Sequence, residues 1–237
     1  INEDVVIPLE RLGDYSDGIE RINIELSIAN KLKLAGELAA LFDRPDALKL
    51  WGPDDEVRPP QELLDARFDE ARAIVAAARG RWADLIDRID ATFRSLQDHS
   101  TVVSWKAELK APLDDLFDGR AFAPVRAAID ATHARLLGSR VFVALHMHAG
   151  DGNVHTNIPV NSDDYAMLQT AHEAVARIMA LARRLGGVIS GEHGIGITKL
   201  EFLSDAETAA FTDYKARIDP EGRFNKGKLL RGAALKA

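Results

Sequence analysis

The stretch His146-Met147-His148-Ala149-Gly150-Asp151-Gly152-Asn153-Val154-His155 constrains this chain more than any other. Residues 141–148 and 154–160 read as strands, and Asp151-Gly152 between them is a favoured two-residue hairpin turn. With that loop, His148 is expected opposite His155 and His146 opposite Asn157. All four side chains then share one face, because side chains repeat every second residue along a strand. A longer glycine-rich loop would change the register. One face of the hairpin is therefore rich in imidazole, the commonest metal ligand. The plain alternative is a hairpin carrying surface histidines that bind nothing.

A second cluster, Gly186-Gly187-Val188-Ile189-Ser190-Gly191-Glu192-His193-Gly194-Ile195-Gly196-Ile197-Thr198-Lys199, follows an amphipathic helical pattern over residues 164–185. It predicts a helix, a glycine stop, a short strand and a glycine-rich loop. Glycine lets backbone approach a substrate closely. Glu192 completes a set of two imidazoles and one carboxylate with His148 and His155, which leaves His193 as an acid or base. Taken alone, the same loop also reads as a turn exposing an ordinary ion pair.

The two clusters together resemble the C-terminal domain of FAD-linked oxidases and dehydrogenases acting on D-2-hydroxy acids, the family of D-lactate dehydrogenase, the D subunit of glycolate oxidase and D-2-hydroxyglutarate dehydrogenase. The matching motifs are His148-x-Gly150-Asp151-Gly152-Asn153-x-His155-x-Asn157 and Gly191-Glu192-His193-Gly194-Ile195-Gly196 with Lys199. The opening residues 3–12 and the closing residues 219–228 are also similar to the family's first strand and last motif. The resemblance implies that His148, His155 and Glu192 hold a divalent metal, with zinc, iron and manganese all suited to such ligands. It also implies that His193 takes the hydroxyl proton while hydride passes to the flavin, that Asn157 and Lys199 contact substrate, and that Asn225 lies near the FAD.

Three features depart from the family pattern. Glu108 stands where an arginine after Trp105 is expected to grip the substrate carboxylate, with Lys106 and Lys110 as candidate substitutes. Lys226 replaces a proline of the closing motif. No glycine-rich dinucleotide fingerprint follows an N-terminal strand, so the FAD-binding domain is expected to belong to an upstream part of a longer flavoprotein, and the fragment alone is expected to be inactive.

Residues 19–137 read as a mainly helical insertion in a single 1–237 substrate domain. Helices are predicted over 22–42, 61–96 and 122–137, with loops at 51–55 and 98–101. The order of elements gives an α+β fold, and the resemblance adds that its small antiparallel sheet is ferredoxin-like and covered by helices. His99, His133 and His172 read as structural or surface residues.

The 237 residues carry a formal net charge of -7 with both signs intermixed, which argues against a nucleic-acid partner. The chain has no cysteine, which excludes a thiolate metal site in this segment. No apolar run approaches about 20 residues, so no membrane span is expected. The expected setting is cytoplasmic, peripheral to a membrane in the full-length protein. Expected partners are a small 2-hydroxy acid, the FAD-binding domain, a redox partner and a second copy of the chain. Two other functions fit the residues: a metal-dependent hydrolase using His193 as base, and a non-catalytic docking module.

Overall fold

A computed structural model describes residues 1–44, 59–226 and 228. The chain opens with β1 (Asn2–Val6), followed by the helices α1 (Leu12–Asp43), α2 (Gln61–Asp87), α3 (Ile89–Gln97), α4 (Ala111–Leu116) and α5 (Ala123–Gly138). The hairpin strands β2 (Ala144–His148) and β3 (Asn153–Asn157) come next, then α6 (Tyr165–Arg184) and α7 (Asp205–Ile218). The loop expected at 51–55 lies outside the described residues. The architecture is α+β. It divides into two compact units, one made of Ile1–Ile19, Val143–Pro159 and Leu168–Ala237, the other of Glu20–Phe142 and Val160–Met167.

The first unit holds an antiparallel sheet in the order β1-β3-β2. Val188, just after α6, bridges Val6 through Val6 N to Val188 O at 3.0 Å and Val188 N to Val6 O at 2.9 Å. With Val188 as a rudimentary fourth strand on the free edge of β1, the order is that of a split β-α-β-β-α-β sheet. Its two faces differ sharply. Val5, Val154 and Thr156 are fully buried on one. On the other, the pairs Asp4↔His155 and His146↔His155 line up polar side chains, because paired residues share a face.

Helix α6 buries Ala171, Ala174, Val175, Ile178, Met179 and Ala182, the stripe that its three- and four-residue spacing predicts. It ends in a Schellman turn: Gly186 is left-handed (φ 77°), its N–H meets Arg183 O at 3.0 Å, and Gly187 N reaches Ala182 O at 2.9 Å. That stop swings the chain back to β1 and delivers the glycine-rich loop to the polar face of the sheet.

The hairpin register differs from the sequence expectation. His148 pairs with Asn153 and His146 with His155, so the loop spans four residues, Ala149 to Gly152, rather than two. The cause is β1. Ile7 N donates to Gly152 O at 2.8 Å, and Gly152 adopts φ 71° so close to Ile7 that a Cβ would sit 2.1 Å from the Ile7 carbonyl oxygen. A shift of two residues keeps the side-chain alternation, so the histidines stay on one face.

The second unit is helical. Phe42, Phe68 and Phe117 interlock with ring centroids 5.5–5.9 Å apart, and Trp82 and Leu109 are buried in the same core. The helix expected over 61–96 breaks at Arg88, whose backbone leaves the helical region (φ -108°, ψ 29°). Thr92 Oγ1 donates to Leu85 O at 2.9 Å across the break. No Gly or Pro marks this position, so the pattern of apolar residues runs through it unbroken.

Candidate metal and substrate site

The site is assembled around a buried acid. Asp4 has no exposed surface, a costly position for a carboxylate unless it is fully paired. Its Oδ2 accepts hydrogen bonds from three successive backbone N–H groups, Gly191 at 2.6 Å, Glu192, and His193 at 3.1 Å. Its Oδ1 is bonded by the Lys199 ammonium, which also donates to the Asp4 carbonyl at 2.9 Å and lies 3.4 Å from Glu3 Oε2. Burial opposes the charge on Asp4, but the Lys199 ammonium and the three N–H donors outweigh it and hold the carboxyl well below the usual carboxylate range.

This clamp pins the loop so that Glu192 projects over the histidine face. Glu192 Oε1 lies 2.9 Å from His155 Nε2, and one donor atom each from His148, His155 and Glu192 fall within 4.8 Å of one another. Two imidazoles and a carboxylate at that spacing suit a divalent transition metal with coordination positions left open. His155 is 7% exposed, whereas His148 and Glu192 face solvent, so one donor is fixed by packing and two are reachable. Gly191 is needed at the loop's start, because a Cβ there would meet Asn153 Oδ1 at 2.6 Å and Val6 at 2.9 Å.

His193 stands beside the trio. Its ring centroid is 5.0 Å from that of His155, its Nδ1 is 3.6 Å from Asp4 Oδ1 and its Nε2 is 3.9 Å from Glu192 Oε1. His146 extends the imidazole cluster, 5.8 Å ring to ring from both His148 and His155. Asn157 lies two residues along β3 from His155 on the same face. Lys199, read from sequence as a substrate contact, is 2% exposed with its ammonium engaged by Asp4 and Glu3. Asn225, left-handed at φ 47°, lines a groove with Phe211, Tyr214 and Phe224.

Sequence reasoning missed Asp4. The only signal was a polar residue just before the apolar run Val5-Val6-Ile7. Glu108, at the position expected to carry an arginine, has a different task in the helical unit. Its carboxylate accepts from Arg81, from Trp82 Nε1 at 3.0 Å and from Ser104 N at 2.8 Å, while Ser104 Oγ accepts from Ala107 N at 3.1 Å. This reciprocal cap starts the helical turn Lys106–Lys110. Burial works against the Glu108 charge, but Arg81, Ser104 and Trp82 hold its carboxyl below the ordinary value. Lys110 is taken up by Asp114 at 2.9 Å and Asp130 at 2.6 Å. His133 stacks on Trp105 with centroids 4.5 Å apart, and His172 is exposed on α6.

The sequence model of the C-terminal domain of FAD linked oxidases matches residues 61–229. The chain belongs to this family. The glycolate oxidase subunit GlcD of Escherichia coli strain K12 is 42% identical over 93 residues, 37% of this chain and 18% of that protein. A probable mitochondrial D-lactate dehydrogenase of Danio rerio is 31% identical over 103 residues, 42% of this chain and 21% of its own length. The D-2-hydroxyglutarate dehydrogenase of Stutzerimonas stutzeri is 34% identical over 89 residues, 35% of this chain and 19% of that enzyme. The chain thus matches about a fifth of the length of these relatives. No solved structure matches it significantly. No helix among the described residues is long and apolar enough to cross a membrane.

Proposed function

We propose that this chain is the substrate- and metal-binding part of an FAD-dependent oxidoreductase that oxidises a D-2-hydroxy acid, with His148, His155 and Glu192 as the metal ligands. The observation that carries the proposal is the convergence of those three donors within 4.8 Å, with the His193 ring beside them. The relatives' names, which concern glycolate, D-lactate and D-2-hydroxyglutarate, supply the substrate class.

Bound at the trio, a divalent cation supplies Lewis acidity toward the hydroxyl and carboxylate oxygens of the substrate. The flavin, held by an FAD-binding domain, supplies the hydride acceptor. The phosphate cradle for the dinucleotide is assigned to that other domain.

The remaining work falls to the chain's own residues. His193 Nδ1 lies 3.6 Å from Asp4 Oδ1, and its Nε2 is the nitrogen we assign to receive the hydroxyl proton. Asp4 and Lys199 act through the backbone of residues 191–193, fixing Glu192 and His193. Asn157 supplies an amide to the substrate on the same sheet face. The single 1–237 domain with a helical insertion over 19–137 completes this reading.

Relaxation of lactate protons by the chain loaded with Mn²⁺ tests it. D-lactate is expected to relax faster than L-lactate, and the difference to vanish in His155→Ala. Equal relaxation of both enantiomers, or a difference that persists in the variant, would overturn the assignment.

A further inference from the structure

The helical unit contains a cavity that the proposed chemistry does not use. A groove of about 370 Å³ lies between α1, the turn after α3 and the segment leading toward β2. That volume is at the small end of the range for small-molecule sites. Helix α1 gives the groove two rows, Asn23, Ser27 and Lys31 at four-residue spacing, and Ile24 and Ile28 beside them. Ile28 and Leu96 are buried at its floor, while Phe142 is 39% exposed at its rim.

Its charges are unusual. Lys31 and Arg140 both line the groove, and among the described residues neither has a carboxylate within ion-pair distance. Lys31 Nζ donates to Ser27 Oγ at 2.8 Å, and Arg140 lies against the Phe142 ring at 5.4 Å. Glu108, the acid whose charge acts on Lys31, has its oxygens occupied by Arg81, Trp82 and Ser104. Glu20 also lines the groove, but eleven residues before Lys31 on α1, about 16 Å along the helix axis. Two cations held together in a half-buried groove repel each other. Burial and the neighbouring Arg140 charge push the Lys31 ammonium below its ordinary value, against the opposing pull of Glu108. A bound anion relieves that repulsion, and the isoleucine row offers cover to an apolar chain attached to it.

We propose that this groove is a binding site for a small aliphatic monocarboxylate, its carboxylate held between Lys31 and Arg140 and its hydrocarbon tail laid along Ile24, Ile28 and Leu96. The site shares no residue with the histidine trio and is independent of the metal assignment.

Sodium octanoate titrated into the isotope-labelled chain, followed by NMR, tests the proposal. The expected result is saturable one-to-one binding that shifts resonances of residues 23–31, 96–103 and 140–142. Affinity should fall about tenfold or more in each of Lys31→Gln and Arg140→Gln, as expected for loss of a charge-assisted hydrogen bond. Both variants should keep the parent's thermal midpoint or exceed it, since each removes one of two repelling charges. Octanol should not bind. Octanoate shifts confined to other residues, absence of saturation, octanol binding equal to octanoate, or unchanged affinity in both variants would each overturn the proposal.

Discussion

Asp4 and Lys199, 195 positions apart, form a buried ion pair in which the same carboxylate also accepts the N–H groups of Gly191, Glu192 and His193. The first strand thereby holds the loop that carries both a candidate metal ligand and the candidate base. Removing one member of such a pair leaves a buried charge unpaired, which typically costs about 3–5 kcal/mol.

Asp4→Asn is therefore expected to lower stability by about that amount and to weaken metal binding, because the N–H groups of residues 191–193 lose their anionic acceptor. The folded-state pKa of Asp4 is depressed, so its contribution is fully present above the ordinary carboxylate value of about 3.9 and is lost progressively as pH falls from there through the depressed folded value. Denaturant unfolding of parent and variant from pH 7 to pH 2 should show the stability gap narrowing toward the acid end. A gap independent of pH would show that the Asp4 charge is not what holds the loop.

Gly191→Ala is expected to loosen the same loop by steric means, since the new methyl meets Asn153 Oδ1 and Val6. Overpacking of this kind costs about 1–3 kcal/mol. Metal affinity measured by calorimetry should drop while the circular dichroism of the helices is kept. Unchanged affinity would mean that the position of Glu192 does not depend on the close approach of Gly191 to β3.

Glu108→Gln separates the helical unit from the site. Loss of the charge-assisted bonds to Arg81, Trp82 and Ser104 should destabilise the protein by about 1–3 kcal/mol in thermal or chemical unfolding. Metal affinity should not change, because Glu108 caps a helix in the unit that lacks the trio. A fall in metal affinity with unaltered stability would instead tie Glu108 to the site.

Much of this architecture was legible in the chain. The apolar spacing of α6 and its Gly186-Gly187 stop follow from sequence, and the single histidine face follows from strand alternation. What was not legible depends on contacts between distant residues. The two-residue Asp151-Gly152 turn is locally sound, but Ile7 on β1 captures the Gly152 carbonyl and sets a four-residue loop. Asp4 could be assigned its task only once the loop near residue 191 was brought to β1. The break at Arg88 has no Gly or Pro to announce it, and Glu108 could not be recognised as a cap before Arg81 and Trp82 were placed beside it.

The most direct test of the account is calorimetric titration of the chain with Zn²⁺ and Mn²⁺ alongside His148→Ala, His155→Ala and Glu192→Ala. One ion per chain is expected, with binding lost or weakened at least about a hundredfold in each variant, since each removes one of three ligands. Equal binding by parent and variants, or none by the parent, would contradict the account, because His148, His155 and Glu192 would then not form the metal site.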